Sequence, residues 1–198
     1  VGVFGFLNTH GQTDSSKTTL DEFEVTTNRV GKKSPVAHEN ISKEEIEVNN
    51  HGVDLPILLD QATSVVTTSD AGAGVGYTGI RVRGSDATRV NITINGIPFN
   101  DAESQGAYWV NMPDISSSTD DIQIQRGVGA SSTGASAFGA SINLSTLSTI
   151  NANKPYGEIS NSYGSFNTLK NTIKLGTGLI DGKWNFEGRL SKVASDGF

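Results

Sequence analysis

Apolar and polar positions alternate on two different scales along this 198-residue chain. Up to about residue 150 the periodic stretches are short and interrupted by turn residues. Residues 8–19 are polar and aperiodic, a composition that predicts no regular structure. In "LDEFEVTTNRV" the apolar Leu20, Phe23 and Val25 stand among acids, giving strand character in a polar neighbourhood. "PVAHENI" predicts a short strand. "SKEEIEVNN" predicts a short helix, because Ser42 and Glu45 have capping-box spacing. "DLPILLDQAT" predicts a second, with Asp54 as N-cap, Pro56 in the first turn, and Leu58 and Leu59 facing inward. "SVVTT" and "IRVRG" read as strands on either side of a glycine-rich loop. "RVNITINGIPFND" reads as a hairpin turning at Asn95–Gly96. A long aromatic-containing loop, "AESQGAYWVNMPD", follows. "PDISSSTDDIQIQRG" then predicts a helical turn and a strand, and "ASINLST" a last strand. Short strands, tight turns and a few small helices make an α+β domain that ends near Ile150.

After the linker "NANKP" the alternation lengthens to about ten residues per segment, the pattern of membrane-spanning strands. Ile159 and Tyr163 share a face in "GEISNSYG". Leu169, Ile173 and Leu175 oppose Lys170, Thr172 and Lys174 in "FNTLKNTIKLGT". Trp184, Phe186 and Leu190 oppose Asn185, Glu187, Arg189 and Ser191 in "GKWNFEGRLSK". Taken alone, this pattern fits the wall of a transmembrane β-barrel and also any amphipathic soluble sheet.

Composition narrows the function. With 15 Lys and Arg against 21 Asp and Glu, the chain carries a formal charge of −6. It lacks the cations that neutralise phosphates, and no nucleic-acid partner is expected. The absence of Cys excludes disulfides, thiolate zinc sites and a thiol nucleophile. No segment reaches the roughly 18 apolar residues of a membrane helix, so a membrane role has to come from strands or surface contact. The opening "VGVFGFL" followed by "NTHGQTDSSK" reads as a signal-peptide tail or an N-terminal leftover. The ending "SKVASDGF" carries no terminating feature, and the sequence reads as a fragment at both ends.

Catalytic chemistry is not in evidence. His10, His38 and His51 are scattered, without partners at metal-ligand spacing, and no metal or cofactor is expected. Asp120 and Asp121 are adjacent, so in a strand they point to opposite sides and form no acid/base pair; a solvated turn or helix end is expected. Asp101 and Glu103 offer a cation site or an ordinary loop. Gly74, Gly76 and Gly79 have the G-x-G-x-x-G spacing of a dinucleotide loop, but a strand follows where the phosphate-binding helix must start. The glycines therefore serve a bent loop between two strands.

Taken in order, these motifs resemble the plug domain of TonB-dependent outer-membrane receptors, transporters in which a plug gates a large barrel. "LDEFEVTTNRV" resembles the TonB box region, and "SPVAHENISKEEIE" the opening strand and helix. "DLPILLDQATSVVTT" resembles the next helix and strand, "IRVRG" the I-x-I-R-G strand, and "VNITINGIPFND" the D-G-V-P-x-N-D hairpin. "DIQIQRGVGASSTGASAFGASINLST" resembles the closing strands. The departures are Asn95 for the usual Asp, Val128 for the R-G-P proline and Phe138 for the usual Tyr. The resemblance spans residues 20–198. It implies a small plug with a mixed sheet and short helices over 31–150, and the first antiparallel strands of a barrel over 151–198. A TonB box region lies at 20–30 and an N-terminal leftover at 1–19.

The function implied is energy-coupled import of a scarce large ligand (iron-siderophore, haem, cobalamin or glycan) across the bacterial outer membrane. The implied partner is a TonB-type periplasmic protein. Leu20, Asp21, Glu22, Phe23, Glu24 and Val25 would form the box and add as a strand to that partner, with an ordinary surface strand as the other reading. Arg83 and Arg126, in the two "RG" sites, would either contact barrel carboxylates lying beyond residue 198, and within this chain be unpaired or solvated, or serve a plain structural role in the plug core. Tyr77, Gln105, Tyr108 and Trp109, in two outward loops, are the ligand-contact candidates, with packing against the barrel wall as the other reading. A secreted β-rich adhesin or carbohydrate-binding module, using the amphipathic strands in a soluble sandwich, is the alternative.

Overall fold

A computed structural model describes residues 29–31, 35–128, 136–146 and 154–197. The TonB box reading at Leu20–Val25 and the readings made of residues 1–19 lie outside the described residues. Strand β1 (His38–Ser42) runs directly into helix α1 (Lys43–Asn49). The capping box forms as its spacing predicts: Glu45 N–H donates to Ser42 Oγ, and Ser42 N–H to the Glu45 carboxylate at 2.9 Å. Helix α2 (Leu55–Leu58) is a single turn, continued by a 3₁₀ turn at Leu59–Gln61. Strands β2 (Val65–Ser69) and β3 (Thr78–Val82) pair antiparallel as a separate two-stranded unit with the glycine loop at its tip.

Strands β4 (Val90–Ile94), β5 (Ile97–Pro98), β6 (Asp121–Arg126) and β7 (Ala140–Ser145) join β1 in a five-stranded mixed sheet of order β1-β6-β7-β4-β5. Only β4 and β7 are parallel. The β4–β5 hairpin turns at Asn95 and Gly96, both at positive φ (52° and 81°), the conformation an Asn-Gly hairpin turn requires.

Register sorts this sheet into two faces. Ile122 lies opposite Leu144, Ile124 opposite Ile142, and Ile142 opposite Ile92. With Val90 and Ala140 these side chains join Ile46, Leu55, Leu59, Val82 and Trp109 in one buried core. On the other face Gln123, Gln125, Ser141, Asn143, Asn91 and Thr93 are also buried. Two pairs bond across or along this face, Thr93 Oγ1 to Asn143 Oδ1 at 2.6 Å and Gln125 Nε2 to Gln123 Oε1 at 2.9 Å. This pairing is what burial of polar groups demands.

The remaining strands, β8 (Tyr156–Gly164), β9 (Thr168–Gly176) and β10 (Glu187–Ala194), form a separate antiparallel sheet of order β10-β9-β8. The third strand starts at Glu187, later than the pattern predicts. Trp184 and Phe186 lie in the preceding connection, where Ile180 and Trp184 form an isolated bridge.

Candidate functional site

Strand β9 is buried at every second residue, and the buried set is the polar one. Thr168, Lys170, Thr172 and Lys174 are covered, whereas Leu169, Ile173 and Leu175 are exposed. Lys170, only 1% exposed, is among the largest fully buried side chains of the chain. An ammonium so placed needs a counter-charge and hydrogen bonds.

Asp114 of the α+β domain supplies them. It sits at φ 56° just ahead of the 3₁₀ turn Ile115–Ser118, a left-handed position that Asp tolerates better than most residues. Its Oδ1 lies 2.8 Å from Lys170 Nζ, and its Oδ2 accepts from Arg189 Nη1 of β10 at 2.7 Å and from Ser191 Oγ. Ser117 completes the cluster. It donates to Asp114 Oδ1 at 2.7 Å and accepts from Lys170 Nζ at 2.8 Å and from Asn50 Nδ2 at 2.9 Å. Burial pushes the Asp114 carboxyl up. Hydrogen bonds from Lys170, Ser191 and Ser117, with the Lys170 charge, outweigh burial and hold it below the ordinary carboxylate range. Farther along β9, Lys174 pairs with Glu187 at 3.1 Å. Beside the cluster lies a polar cavity of about 410 Å³, walled by α1, the Ile115–Ser118 turn, β8 and β9, with Lys43, Glu47, Ser116, Glu158 and Lys174 in its lining.

The sequence did not single out Asp114. Apart from Ser117, its partners lie on β9 and β10, Arg189 and Ser191 75 and 77 positions away, and nothing local in "MPDISS" announces them. The legible half of the signal was Lys170 and Lys174, cations on the polar face of an otherwise apolar-alternating strand.

The glycine loop is tied down from below. Asp54 occupies the N-cap position of α2 but makes no side-chain cap bond. Its Oδ2 instead accepts from Gly76 N–H at 2.9 Å and Thr78 Oγ1 at 3.0 Å, and its own N–H donates to the Gly74 carbonyl at 2.8 Å. Burial raises the Asp54 carboxyl above its ordinary range, and the bonds from Thr78 and Gly76 offset it only in part. Gly74 has φ +74°, and a Cβ there would come within 3.2 Å of Val53. The loop thus needs glycine for both conformation and close approach.

Of the ligand-contact candidates, Tyr77 is 68% exposed, and Gln105 and Tyr108 are also exposed. Trp109 is not available: it is 3% exposed and belongs to the hydrophobic core. The loop that carries it folds into a 3₁₀ turn at Trp109–Asn111 and turns the indole inward. Burying so large an apolar ring is worth more than exposing it.

Arg126 is neither unpaired nor solvated. It binds Glu39 of β1 at 2.9 Å, because the β1–β6 register sets Glu39 opposite Ile124. Arg83 is exposed at φ 52°, and among the described residues its guanidinium has no hydrogen-bond partner. Its Nη1 lies against Gly127, so the two "RG" sites meet in space. Asp120 and Asp121 part as strand geometry requires, Asp121 to Arg29 and Asp120 to Lys43. Asp120 is buried rather than solvated, just ahead of β6, where its N–H donates to the Ser145 carbonyl at 2.7 Å. Asp101 binds its own loop, accepting from Ser104 N–H at 2.7 Å and Glu103 N–H at 3.1 Å.

Comparison with known proteins places this arrangement. The family model described as the TonB-dependent Receptor Plug Domain matches residues 30–141. No curated protein sequence matches. Among solved structures, the chain is similar to the alcaligin outer membrane receptor FauA from Bordetella pertussis, with 18% identity, TM-score 0.63, and 83% of this chain covered against 27% of that one. It is similar to the siderophore receptor PirA from Acinetobacter baumannii, with 19% identity, TM-score 0.59, and 79% against 24% covered. It is also similar to the ferric yersiniabactin uptake receptor FyuA from Yersinia pestis, with 18% identity, TM-score 0.58, and 79% against 24% covered. The chain spans about a quarter of the length of these structures.

Proposed function

Because the chain belongs to the TonB-dependent receptor plug-domain family, we propose that it is the gating part of an energy-coupled outer-membrane receptor that imports a ferric siderophore. The observation that carries the reading is the orientation of the β8–β10 sheet. It turns Lys170, Thr172 and Lys174 towards the plug and leaves Ile159, Tyr163, Leu169, Ile173, Leu175 and Leu190 exposed. That is the polarity of a barrel wall between a polar lumen and lipid. A soluble adhesin or carbohydrate-binding sandwich has to bury the apolar face instead.

In this reading the plug closes the lumen and Asp114 fastens it to the wall. Tyr77, Gln105 and Tyr108 stand on the surface offered to the ligand. The siderophore class is supported by the similar structures, whose names identify them as receptors for alcaligin, for ferric yersiniabactin and for a siderophore. The outer membrane has no energy source of its own, so work arrives from a TonB-type periplasmic partner. Leu20–Val25 is the segment that offers it an extended strand.

The test separates binding from uptake. In the full-length receptor, deletion of Leu20–Val25 is expected to abolish accumulation of radiolabelled ferric siderophore in iron-starved cells while surface binding is retained. Undiminished uptake after the deletion refutes the box. Failure of intact cells to take up any ferric siderophore, with a glycan or haem taken up instead, refutes the ligand class.

A further inference from the structure

Strand β6 holds the chain ahead of β1 by its side chains. Val30 donates its N–H to Gln123 Oε1 at 2.7 Å, and its carbonyl accepts from Gln123 Nε2 at 3.0 Å. A single side-chain amide thus satisfies both backbone groups of one residue, as a neighbouring strand would. Gln123 is itself fixed: its Nε2 donates also to Asn40 Oδ1 at 2.8 Å, and its Oε1 accepts also from Gln125 Nε2 at 2.9 Å. Two donors and two acceptor sites are the full capacity of an amide, and all are used. Beside this grip, Arg29 forms an ion pair with Asp121.

The path of the chain gives the grip a direction. Arg29 lies by Asp121, the first residue of β6, and Val30 by Gln123. The chain then travels to the other end of β6, where the Ala37 carbonyl accepts from Arg126 N–H at 2.8 Å. There it turns back, and β1 runs antiparallel to β6 from His38, opposite Gln125, to Ser42, opposite Asp121. A pull on the segment ahead of Arg29 therefore reaches the Gln123 grip before it reaches β1. When it does reach β1, it reaches the His38 end, which Arg126 holds through Ala37 and Glu39.

We propose that Gln123, with the Arg29–Asp121 pair beside it, is the positioning residue that couples the N-terminal segment to the plug. It takes the load first and passes it to β6, which has neighbours on both sides, rather than to the edge strand β1. The proposal rests on the reading that energy enters through the N-terminal segment. It sets an order of release: the Gln123 grip, then the Arg126 lock, then β1 peeling from its His38 end. Because β1 continues into α1, and α1 walls the cavity beside Asp114, release of β1 enlarges that cavity towards the barrel wall.

The test is single-molecule force spectroscopy on the full-length receptor in membranes, pulled by a handle ahead of Arg29. Gln123→Leu keeps the bulk and removes all four bonds, and is expected to lose the first rupture event. Gln123→Glu keeps the acceptor for Val30 N–H but cannot donate, and is expected to keep a first event of lower force. Arg29→Ala leaves the buried amides untouched and is expected to weaken the first event as well. Thr93→Val removes a buried bond from the same sheet face, two strands from Gln123 and not bonded to Val30, and is expected to leave that event unchanged. An unchanged first event in Gln123→Leu or Arg29→Ala overturns the proposal. So does an equal fall in Thr93→Val, which reduces Gln123 to general sheet stability. The measurement needs neither ligand nor energy partner, so its failure is distinct from failure of the uptake test.

Discussion

The five-stranded sheet of the plug and the three-stranded sheet beside it use the same period-two alternation and turn it in opposite senses. The plug sheet is covered on both faces, its Ile and Leu side chains in a closed core and its Gln and Asn side chains in a buried polar layer. The β8–β10 sheet covers its polar face against the plug and leaves its apolar face open. The lesson is that alternation fixes which residues share a face, and the medium decides which face is inside. In the plug the favourable term is removal of apolar area from water. In the β8–β10 sheet, burial of Lys170 is unfavourable by itself and has to be offset by a charge placed to meet it. One contact is tolerant of sequence and the other is specific.

The comparison breaks most sharply at Asp114. Asp114→Ala leaves Lys170 buried without its counter-charge and deprives Arg189 of its partner, and is expected to weaken the plug–wall contact by about 3–5 kcal/mol. Limited proteolysis of the plug in membrane-embedded receptor reads this, and unaltered protection contradicts it. The same contact has a pH signature. The Asp114 carboxyl is held below its ordinary value in the fold, so the stability it contributes is full above the unfolded value, about 3.9, and is lost as pH falls through the folded one. Asp54 is shifted the opposite way. Its contribution favours the fold at low pH and fades as pH rises through its raised value. Acid titration of plug protection is therefore expected to show loosening below about pH 4 in the wild type, and a flatter profile in Asp114→Asn.

A smaller effect is expected on the open face. Leu190 is 78% exposed. Leu190→Lys is expected to cost about 2–4 kcal/mol if its residue sits near the bilayer midplane, and near zero in a soluble sheet. Heat resistance of the full-length barrel on cold and boiled gels distinguishes the two media. The smallest effect is expected at the plug surface. Tyr77→Ala, in a loop side chain 68% exposed, is expected to alter stability by no more than about 0.5 kcal/mol. Its effect is confined to ligand affinity, read by equilibrium binding to whole cells. A large loss of plug stability there would place Tyr77 in the fold rather than at the ligand.

Much of the fold was legible because its signals are local. The Ser42–Glu45 capping box, the Asn95–Gly96 turn and the alternation of "DIQIQ" each specify geometry within a few residues, and each takes its expected form. The site was less legible for the converse reason. Trp109 reads as an exposed loop aromatic until the 3₁₀ turn at Trp109–Asn111 rotates it into the core. Asp54 reads as a helix cap, but its carboxylate serves the glycine loop 22 residues later. Arg126 reads as a cation awaiting a distant partner, but register brings Glu39 to it from 87 positions away.

By itself, then, the sequence determined the elements, their faces and the family, because periodicity, caps and turns are short-range properties of the chain. Only the tertiary structure decided that Asp114 binds Lys170 and Arg189, that Gln123 binds Val30, and that the β8–β10 sheet turns Lys170 and Lys174 inward. Those contacts join residues far apart in the chain. Their energy exists only once strand register and sheet placement have brought the charges and amides within hydrogen-bond reach.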